Sequence, residues 1–388
     1  MGAAVSAQYI YVGGTLLRWG DTPLSMGEPT TAAIWPGPFV AGEPAGSVWT
    51  WSVGPGASAS APGADRELTE AYGRVATWRV DGHAFATFTI DGRSDEAAGI
   101  VERRDDLWIR RDGVLVFRGR IVGAEDAVDA STHVTQFAAV DYRAMLSGAA
   151  KVEPSVPTFS AVDQGQIVWQ LIQGWQALSG GDWGITQGVG STSGVTRDET
   201  DITPFSPVGE VIDSLLRRDG GGEWEISPTM ELNRWWPRRG SASGEVLDYG
   251  GVLDSVGRSL PEFGNAAGAT GGQGTAAVVS ADAGVGADDR GRWTVAQGYP
   301  SVSKQSTVAA KASWLLDQAS TVQSEWRATF SPGRWGGLGH VWIGDTVEMR
   351  VDSGRLSVAG AHRVVELQAV CGDHGTETIT VGIVGVPA

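Results

Sequence analysis

The sequence predicts an α+β protein that is predominantly β, with two barrel-like β domains and additional α+β domains. Three observations predict it. Residues of alternating polarity recur toward both ends of the chain. Two-residue turn signals join them into hairpins. Only three segments carry a helical repeat. The 388 residues suffice for two or three domains. The 56 glycines and 17 prolines make the chain rich in turns, without the Gly-x-y period of collagen.

Residues 1–73 read as an irregular N-terminal segment rich in Pro, Gly and Trp. Trp35-Pro36-Gly37-Pro38 and Gly54-Pro55-Gly56 interrupt helix and central strand alike. Trp49-Thr50-Trp51 reads as a short strand. Its rings either face a partner surface or, the preferred reading, fill a local core. Residues 74–147 form the first barrel-like domain. Ala84, Ala86, Phe88 and Ile90 share one strand face, and Asp91-Gly92 ends that strand. Asp112-Gly113 between Leu107–Arg111 and Val114–Arg118 is a hairpin signal, because both residues tolerate positive φ. Thr135–Tyr142 closes the region as a strand.

Residues 148–244 form an α+β middle domain. Asp163 caps a helix, and Gln166 completes a capping box. Ile167, Leu171, Trp175 and Leu178 line one face of that helix. A second helix starts at Ser206-Pro207, with Pro at the first helical position, and buries Val208, Val211, Ile212, Leu215 and Leu216. Glu223-Trp224-Glu225-Ile226 follows as a strand. Residues 245–337 combine a Gly-rich tract, densest from Gly264 to Gly291, with a third helix over 306–325. That helix turns Val308, Ala312, Leu315, Ala319 and Val322 inward. The tract is either a mobile loop or conceals short strands near Ala276–Ser280 and Trp293–Val295. Residues 338–388 return to β as the second barrel-like region, completed by earlier strands. There Arg363–Val370 pairs with Glu377–Ile383 across Asp373-His374-Gly375.

Charge excludes several functions. A net charge of −16 argues against a dedicated nucleic-acid binder and against a polybasic membrane-surface protein. Lys151, Lys304 and Lys311 are the only lysines, so arginine carries nearly all the positive charge. The single cysteine, Cys371, forbids an intramolecular disulfide framework and reads as a small, partly buried apolar residue. No apolar run is long enough to span a bilayer, and Met1–Leu17 lacks the pattern of a signal peptide.

Chemistry is sparse. His83, His133, His340, His362 and His374 make no metal-binding spacing. Gly188-Val189-Gly190-Ser191-Thr192-Ser193-Gly194 lacks the Lys-Ser/Thr ending of a phosphate loop and reads as a flexible loop. Glu223 and Glu225 fall on one strand face, about 7 Å apart along the chain, within range of a glycosidase pair. A solvated strand face explains them without any catalysis, and with so many acidic residues chance pairs are expected. Trp235-Trp236-Pro237 suits core or interface packing better than sugar stacking. No catalytic, cofactor-binding or metal-ligating residue is assigned, and no cofactor is expected.

The segment Trp108–Val122, with Arg118-Gly119-Arg120-Ile121 at its end, and the ending Val140-Asp141-Tyr142-Arg143-Ala144-Met145-Leu146 resemble siphophage tail hub proteins. These are the minor tail proteins of actinobacterial phages. Further similar blocks follow in order: Asp163–Ile172, Gly181–Thr186, Phe205–Asp213 with Trp224–Ile226, Ile343–Val347, His362–Val364 and Asp373–Glu377. The resemblance spans roughly residues 100–388. It implies kinship with the baseplate hub of contractile tails, in which two barrel-like domains mimic tube subunits. Three copies then make a pseudo-sixfold ring at the distal tip of the virion tail. The implied role is structural: closing the tail tube and anchoring tail-tip or receptor-binding proteins. The implied partners are two further copies of the chain as a homotrimer, the distal tail or tube protein, the C-terminus of the tape-measure protein, and other minor tail or receptor-binding proteins. Specific nucleic-acid binding and stable membrane insertion are not implied. The family carries no common catalytic residues. Two rival readings stay open: a tail-associated cell-wall glycan hydrolase built on Glu223 or Glu225, and a carbohydrate-binding tail-tip module built on exposed Trp. For a ring, the hairpin edges near 107–118 and 363–383 need covers. Arg110, Arg111, Arg118 and Arg120 are either basic patches toward acidic neighbours or solvated strand ends.

Overall fold

The computed structural model describes residues 9–12, 15–18, 47–56, 65–154, 158–199, 202–217, 221–259, 264–272, 279–284, 291–299, 305–320, 325–330, 339–372 and 377–386. Trp35–Pro38 and the Asp373–Gly375 turn lie outside them. The chain divides into two compact units. One comprises residues 1–255 with 328–383, the other 256–327 with 384–388.

The first unit is organised by one sheet. Trp49–Pro55 pairs antiparallel with Asp105–Arg111, which pairs with Val114–Val128. His133–Asp141, Phe85–Asp91 and Tyr72–Arg79 follow in spatial order, each antiparallel to the last. Tyr72–Arg79 then pairs with Leu356–Cys371, from Glu366↔Arg79 to Cys371↔Arg74. The two β regions near the chain ends are therefore joined in a single sheet. Thr346–Ser353 continues it antiparallel, and Ala242–Asp248 adds a parallel strand.

The Asp112-Gly113 turn forms as the sequence predicts. Asp112 has φ 52° and Gly113 φ 80°, the mirror-image geometry that matches strand twist. Arg111 faces Val114, so the loop has two residues. In Phe85–Asp91 the expected face is buried, with Ala86, Phe88 and Ile90 in the core. Phe88 stacks on Phe137 at 5.2 Å and meets Trp51 edge-on at 6.1 Å.

Trp49–Pro55 bears out the short strand read at Trp49–Trp51 and carries it through Gly54-Pro55, which the sequence read as an interruption. Gly54 and Pro55 end a strand here rather than prevent one, since a proline at a strand terminus costs no ladder bond. Trp51 is 1% exposed, so its ring is core. The same strand covers the 107–111 edge, and Leu356–Cys371 lies between the flanking strands Tyr72–Arg79 and Glu377–Gly385. The chain itself supplies the covers that the sequence reading sought in a neighbour.

The remainder of the first unit is α+β. Tyr142–Gly148, Gln164–Gln176 and Val208–Leu216 pack their apolar faces with Trp183, Trp224 and Leu232 into one core. Local details differ from expectation by a residue or two. Tyr142 begins a helix capped by Asp141 rather than ending a strand. Pro207 occupies the cap position, not the first turn. Asp163 caps its helix by accepting from the Gly165 amide, but Gln166 reaches Ser191 O instead of closing a capping box. That helix ends at Gln176, so Leu178 lies beyond it.

The second unit resolves the Gly-rich tract into short strands. Ala266–Gly271 pairs antiparallel with Val279–Gly284 and parallel with Thr294–Tyr299. Helix Gln305–Ser320 packs Val308 and Ala312 against Ala269, with Leu315 at the margin. The side chain of Ala319 and residue Val322 lie outside the described structure.

Gly113 isolates the turn's conformational requirement, because no atom lies within 4 Å of a Cβ built there. Gly113→Ala should cost about 1 kcal/mol through φ alone. Gly123, in the same hairpin and equally uncrowded, has no positive φ, so Gly123→Ala should not be destabilising. Urea denaturation of the two variants decides it, and equal losses would contradict the turn assignment.

Candidate functional site

The charged interior of the first unit centres on Arg143. Asp141 ends a strand and caps the next helix. Its Oδ1 accepts from the Ala144 amide at 2.8 Å and its Oδ2 from Ala84 at 2.8 Å. This fixes the first turn and directs Arg143 inward. Arg143 Nη1 donates to Val80 O at 3.1 Å and to Trp224 O at 3.0 Å, while Nη2 donates to Asp213 Oδ1 at 3.0 Å. Trp224 lies 4.9 Å from the guanidinium and donates its Nε1 to the same Asp213 oxygen. Asp213 is held below the usual carboxylate range despite burial, mainly by Arg143 and the Trp224 bond. One buried cation thus ties a sheet hairpin, an edge strand and a helix.

Glu223 and Glu225, the only carboxylate pair weighed for catalysis, meet one residue. Arg239 donates its backbone amide to Glu223 Oε2 at 3.0 Å and its Nη1 to Glu225 Oε2 at 2.6 Å. Arg363 Nη2 donates to Glu223 Oε2 at 2.8 Å and to Arg239 O at 3.1 Å. Glu223 is buried, so the solvated-face reading fails for it. Both carboxylates serve as acceptors in a structural ion network.

The four strand arginines are equally committed. Arg111 holds Glu377 through Nη2 at 2.7 Å and Nε at 3.0 Å. Arg118 and Arg120 converge on Asp106, at 3.0 and 2.7 Å, and Tyr142 Oη joins them at 2.8 Å. Arg110 pairs with Asp65 at 2.7 Å. They are neither solvated strand ends nor patches awaiting a neighbour. Gly56 closes over the Asp106 cluster, where a Cβ would collide with the carboxylate.

A cleft of about 610 Å³ lies beside Arg143. Trp78, Phe117, Trp235 and Trp342 line it, with Ile226, Pro228 and Thr229. Trp78 and Trp342 stand 5.3 Å apart, and Arg239 stacks over Trp235 at 4.4 Å. Trp235 is thus buried against this cleft, not presented as an open platform. Sequence reasoning marked Trp235 but not its partners, which come from four separate segments.

Other candidates resolve simply. Gly188–Gly194 wraps the start of helix Gln164–Gln176, and Asp163 accepts from the Ser193 and Gly194 amides. The loop's anion is the chain's own carboxylate. Cys371 is buried, and burial pushes its thiol up to about 12. No metal-binding group of His, Cys, Asp or Glu occurs among the described residues. No described helix is long and apolar enough to cross a membrane.

The sheet and its ion network define a class before any comparison: a β-rich scaffold whose charged side chains brace the fold. Solved structures share that fold. A tail protein from Neisseria meningitidis MC58 is similar with a TM-score of 0.58 and 11% identity, over 87% of this chain and 96% of its own. The 43 kDa tail protein of prophage MuSo2 from Shewanella oneidensis gives 0.60 and 13%, over 87% and 98%. Prophage tail protein gp18 from Listeria monocytogenes EGD-e gives 0.50 and 10%, over 86% and 94%. No family model and no curated protein sequence matches the chain.

Two outcomes follow from this network. Arg143→Met should lose about 3–5 kcal/mol of unfolding stability, because Asp213 is left buried without its cation. A loss under about 1 kcal/mol in calorimetry would show the cross-link to be dispensable. His83 is lowered to about 4, first by burial and then by Arg143. A histidine lowered in the folded state contributes stability above its unfolded value near 6.5, and that stability is lost as pH falls toward 4. His83→Gln should therefore lose less stability from pH 7 to 5 than the parent chain, while Asp81 and Asp141, both raised to about 6 first by burial, act in the opposite sense in both proteins. Parallel urea midpoints would remove His83 from the acid response.

Proposed function

We propose that the chain is a structural virion protein, the distal tail hub that closes the tail tube and anchors tail-tip or receptor-binding proteins. The observation that carries this reading is the fold, shared with the Neisseria tail protein and the MuSo2 prophage tail protein over most of this chain and nearly all of theirs. In this reading three copies form a ring about the tail axis. Residues 74–147 and 338–388 supply the two tube-like halves of each subunit, and 148–244 and 245–337 supply the segments that meet other tail proteins. The neighbours are the distal tail or tube protein, the tape-measure C-terminus and the receptor-binding proteins. The kinship with hubs of actinobacterial siphophages belongs to the same proposal.

The role needs no catalysis. The hydrolase reading draws no support from the geometry, since Glu223 and Glu225 are both hydrogen-bonded by arginine within the fold. The sugar-platform reading draws none from Trp235, which is buried.

A low-resolution map of particles carrying a tagged copy tests the assignment. Threefold density for this chain around the distal end of the tail is expected. A single copy per particle, or attachment at the capsid, overturns the hub reading.

A further inference from the structure

Strand Val114–Val128 outruns one of its two neighbours. Asp105–Arg111 pairs with it only from Arg111↔Val114 to Asp106↔Arg120. The Arg103 amide then donates to Ile121 O at 2.6 Å. His133–Asp141 continues along the other side as far as Val128↔His133. From Val122 to Val128 the outer edge has no partner strand among the described residues.

The direction of the backbone at this edge follows from its inner neighbour. His133 O accepts from the Gly92 amide at 2.9 Å, on the side away from Val114–Val128. Val128, opposite His133, therefore turns its own N–H and C=O outward, and by the two-residue period Asp126 and Ala124 do the same. The tip is braced. Asp129 Oδ1 accepts from the Ser131 and Thr132 amides at 2.7 Å each, and Arg93 Nη2 donates to Ser131 O at 2.8 Å. Ala124 through Thr132 are all exposed. An ordered row of unpaired amides and carbonyls is a template for a further strand, and chains commonly guard it with lysine, proline or a bulge. Neither Lys nor Pro occurs from Val122 to His133, and the bulge sits at the base, between Ile121 and Gly123.

Charge selects the guest. Glu125, Asp126 and Asp129 are acidic, and the arm from Val122 to His133 holds no Lys or Arg. The Thr135 hydroxyl holds Asp126 below the usual carboxylate range, and the Ser131 and Thr132 amides do so for Asp129, so both are charged at neutral pH. In the register by which two copies would use all three open positions together, Asp126 faces Asp126. Like charges directly opposite each other destabilise a strand pair. A guest with a basic side chain at that place is attracted instead.

We propose that the outer edge of Val122–Val128 takes an added strand from a different protein, an extended segment with basic residues at alternate positions. Backbone hydrogen bonds hold such a segment and the carboxylates select it. The inference stands independently of the ring reading.

Hydrogen exchange at residue resolution tests it on the full chain with two probes: an extended peptide alternating valine and lysine, and its counterpart with glutamate for lysine. In the free chain the amides of Ala124, Asp126 and Val128 should exchange freely. The lysine peptide should protect these three, and the glutamate peptide none of them. Ala124→Pro removes one outward donor and no bond to His133–Asp141, so the melting temperature should hold within a few degrees while binding weakens about tenfold. Should that variant fail to fold, Glu125→Lys places a guarding charge on the exposed arm and should weaken the lysine peptide about tenfold. Unchanged binding by a folded variant overturns the proposal. So does a lysine peptide that leaves the three amides exchanging. Protection already present in the dilute free chain would mean that the edge is covered from within, and protection that grows with chain concentration alone would make a second copy the guest. Either result overturns the assignment to a basic partner.

Discussion

A desolvated guanidinium sets the geometry of the first unit. Arg143 gives its hydrogen bonds to Val80 O, Trp224 O and Asp213, three acceptors on three elements. A planar fork satisfies such directions together, whereas an ammonium on a flexible stem would not fix them. The cation is safe in the interior only while all of these partners hold, since an unpaired buried charge costs several kcal/mol. Helix Tyr142–Gly148 must therefore keep its start, and Asp141 keeps it by capping. Strand Glu223–Ile226 must keep its register against Glu231–Trp235, because Trp224 donates to the same Asp213 that Arg143 holds. The cleft inherits its shape from these constraints, since Arg143, Ile226 and Trp235 all border it.

The preference for arginine over lysine acquires a physical meaning here. Arg111, Arg118, Arg120, Arg143, Arg239 and Arg363 each engage a carboxylate inside the fold. Several also stack on aromatic rings, as Arg118 does on Trp108 at 5.4 Å. Both uses need a flat, weakly hydrated cation. Buried pairs of this kind are weak evidence for stability as such. Their consequence is specificity: each joins strands that a slipped register would separate. Arg111 and Glu377 are 266 positions apart in sequence, so their bond registers the two ends of the β-structure against each other.

What the sequence made legible was local. Asp112-Gly113, the face of Phe85–Asp91 and the stripe of Val208–Leu216 depend on neighbours a few residues away, and periodicity or turn chemistry encodes them directly. What it hid was long-range. Trp49–Trp51 and Leu107–Arg111 each read as strands, but nothing local in either marks the other as its partner. The union of Tyr72–Arg79 with Leu356–Cys371 leaves no local mark on either segment. The arginines were visible as charges, but whether a charge pairs inward or outward depends on a distant acid. The positive φ of Phe205, 63°, follows the same rule. Thr-Pro-Phe-Ser-Pro announces a turn, but only the bonds to Val152 decide which residue takes the positive φ.

The charge balance constrains how such a chain meets its neighbours. With 45 acidic residues against 29 basic ones, and many arginines turned inward, the accessible surface is acidic. Copies of the chain therefore repel at long range, though physiological salt confines that repulsion to about 8 Å. Charge pairing between copies is a limited source of attraction, because several of the strand arginines are already held by Asp106, Asp213, Glu223 and Glu377. A self-contact must then draw on dehydrated apolar area in a small central patch, with the acidic surface kept at its solvated rim. The same surface charge that opposes random association thereby favours contacts that bury apolar side chains at a dehydrated centre.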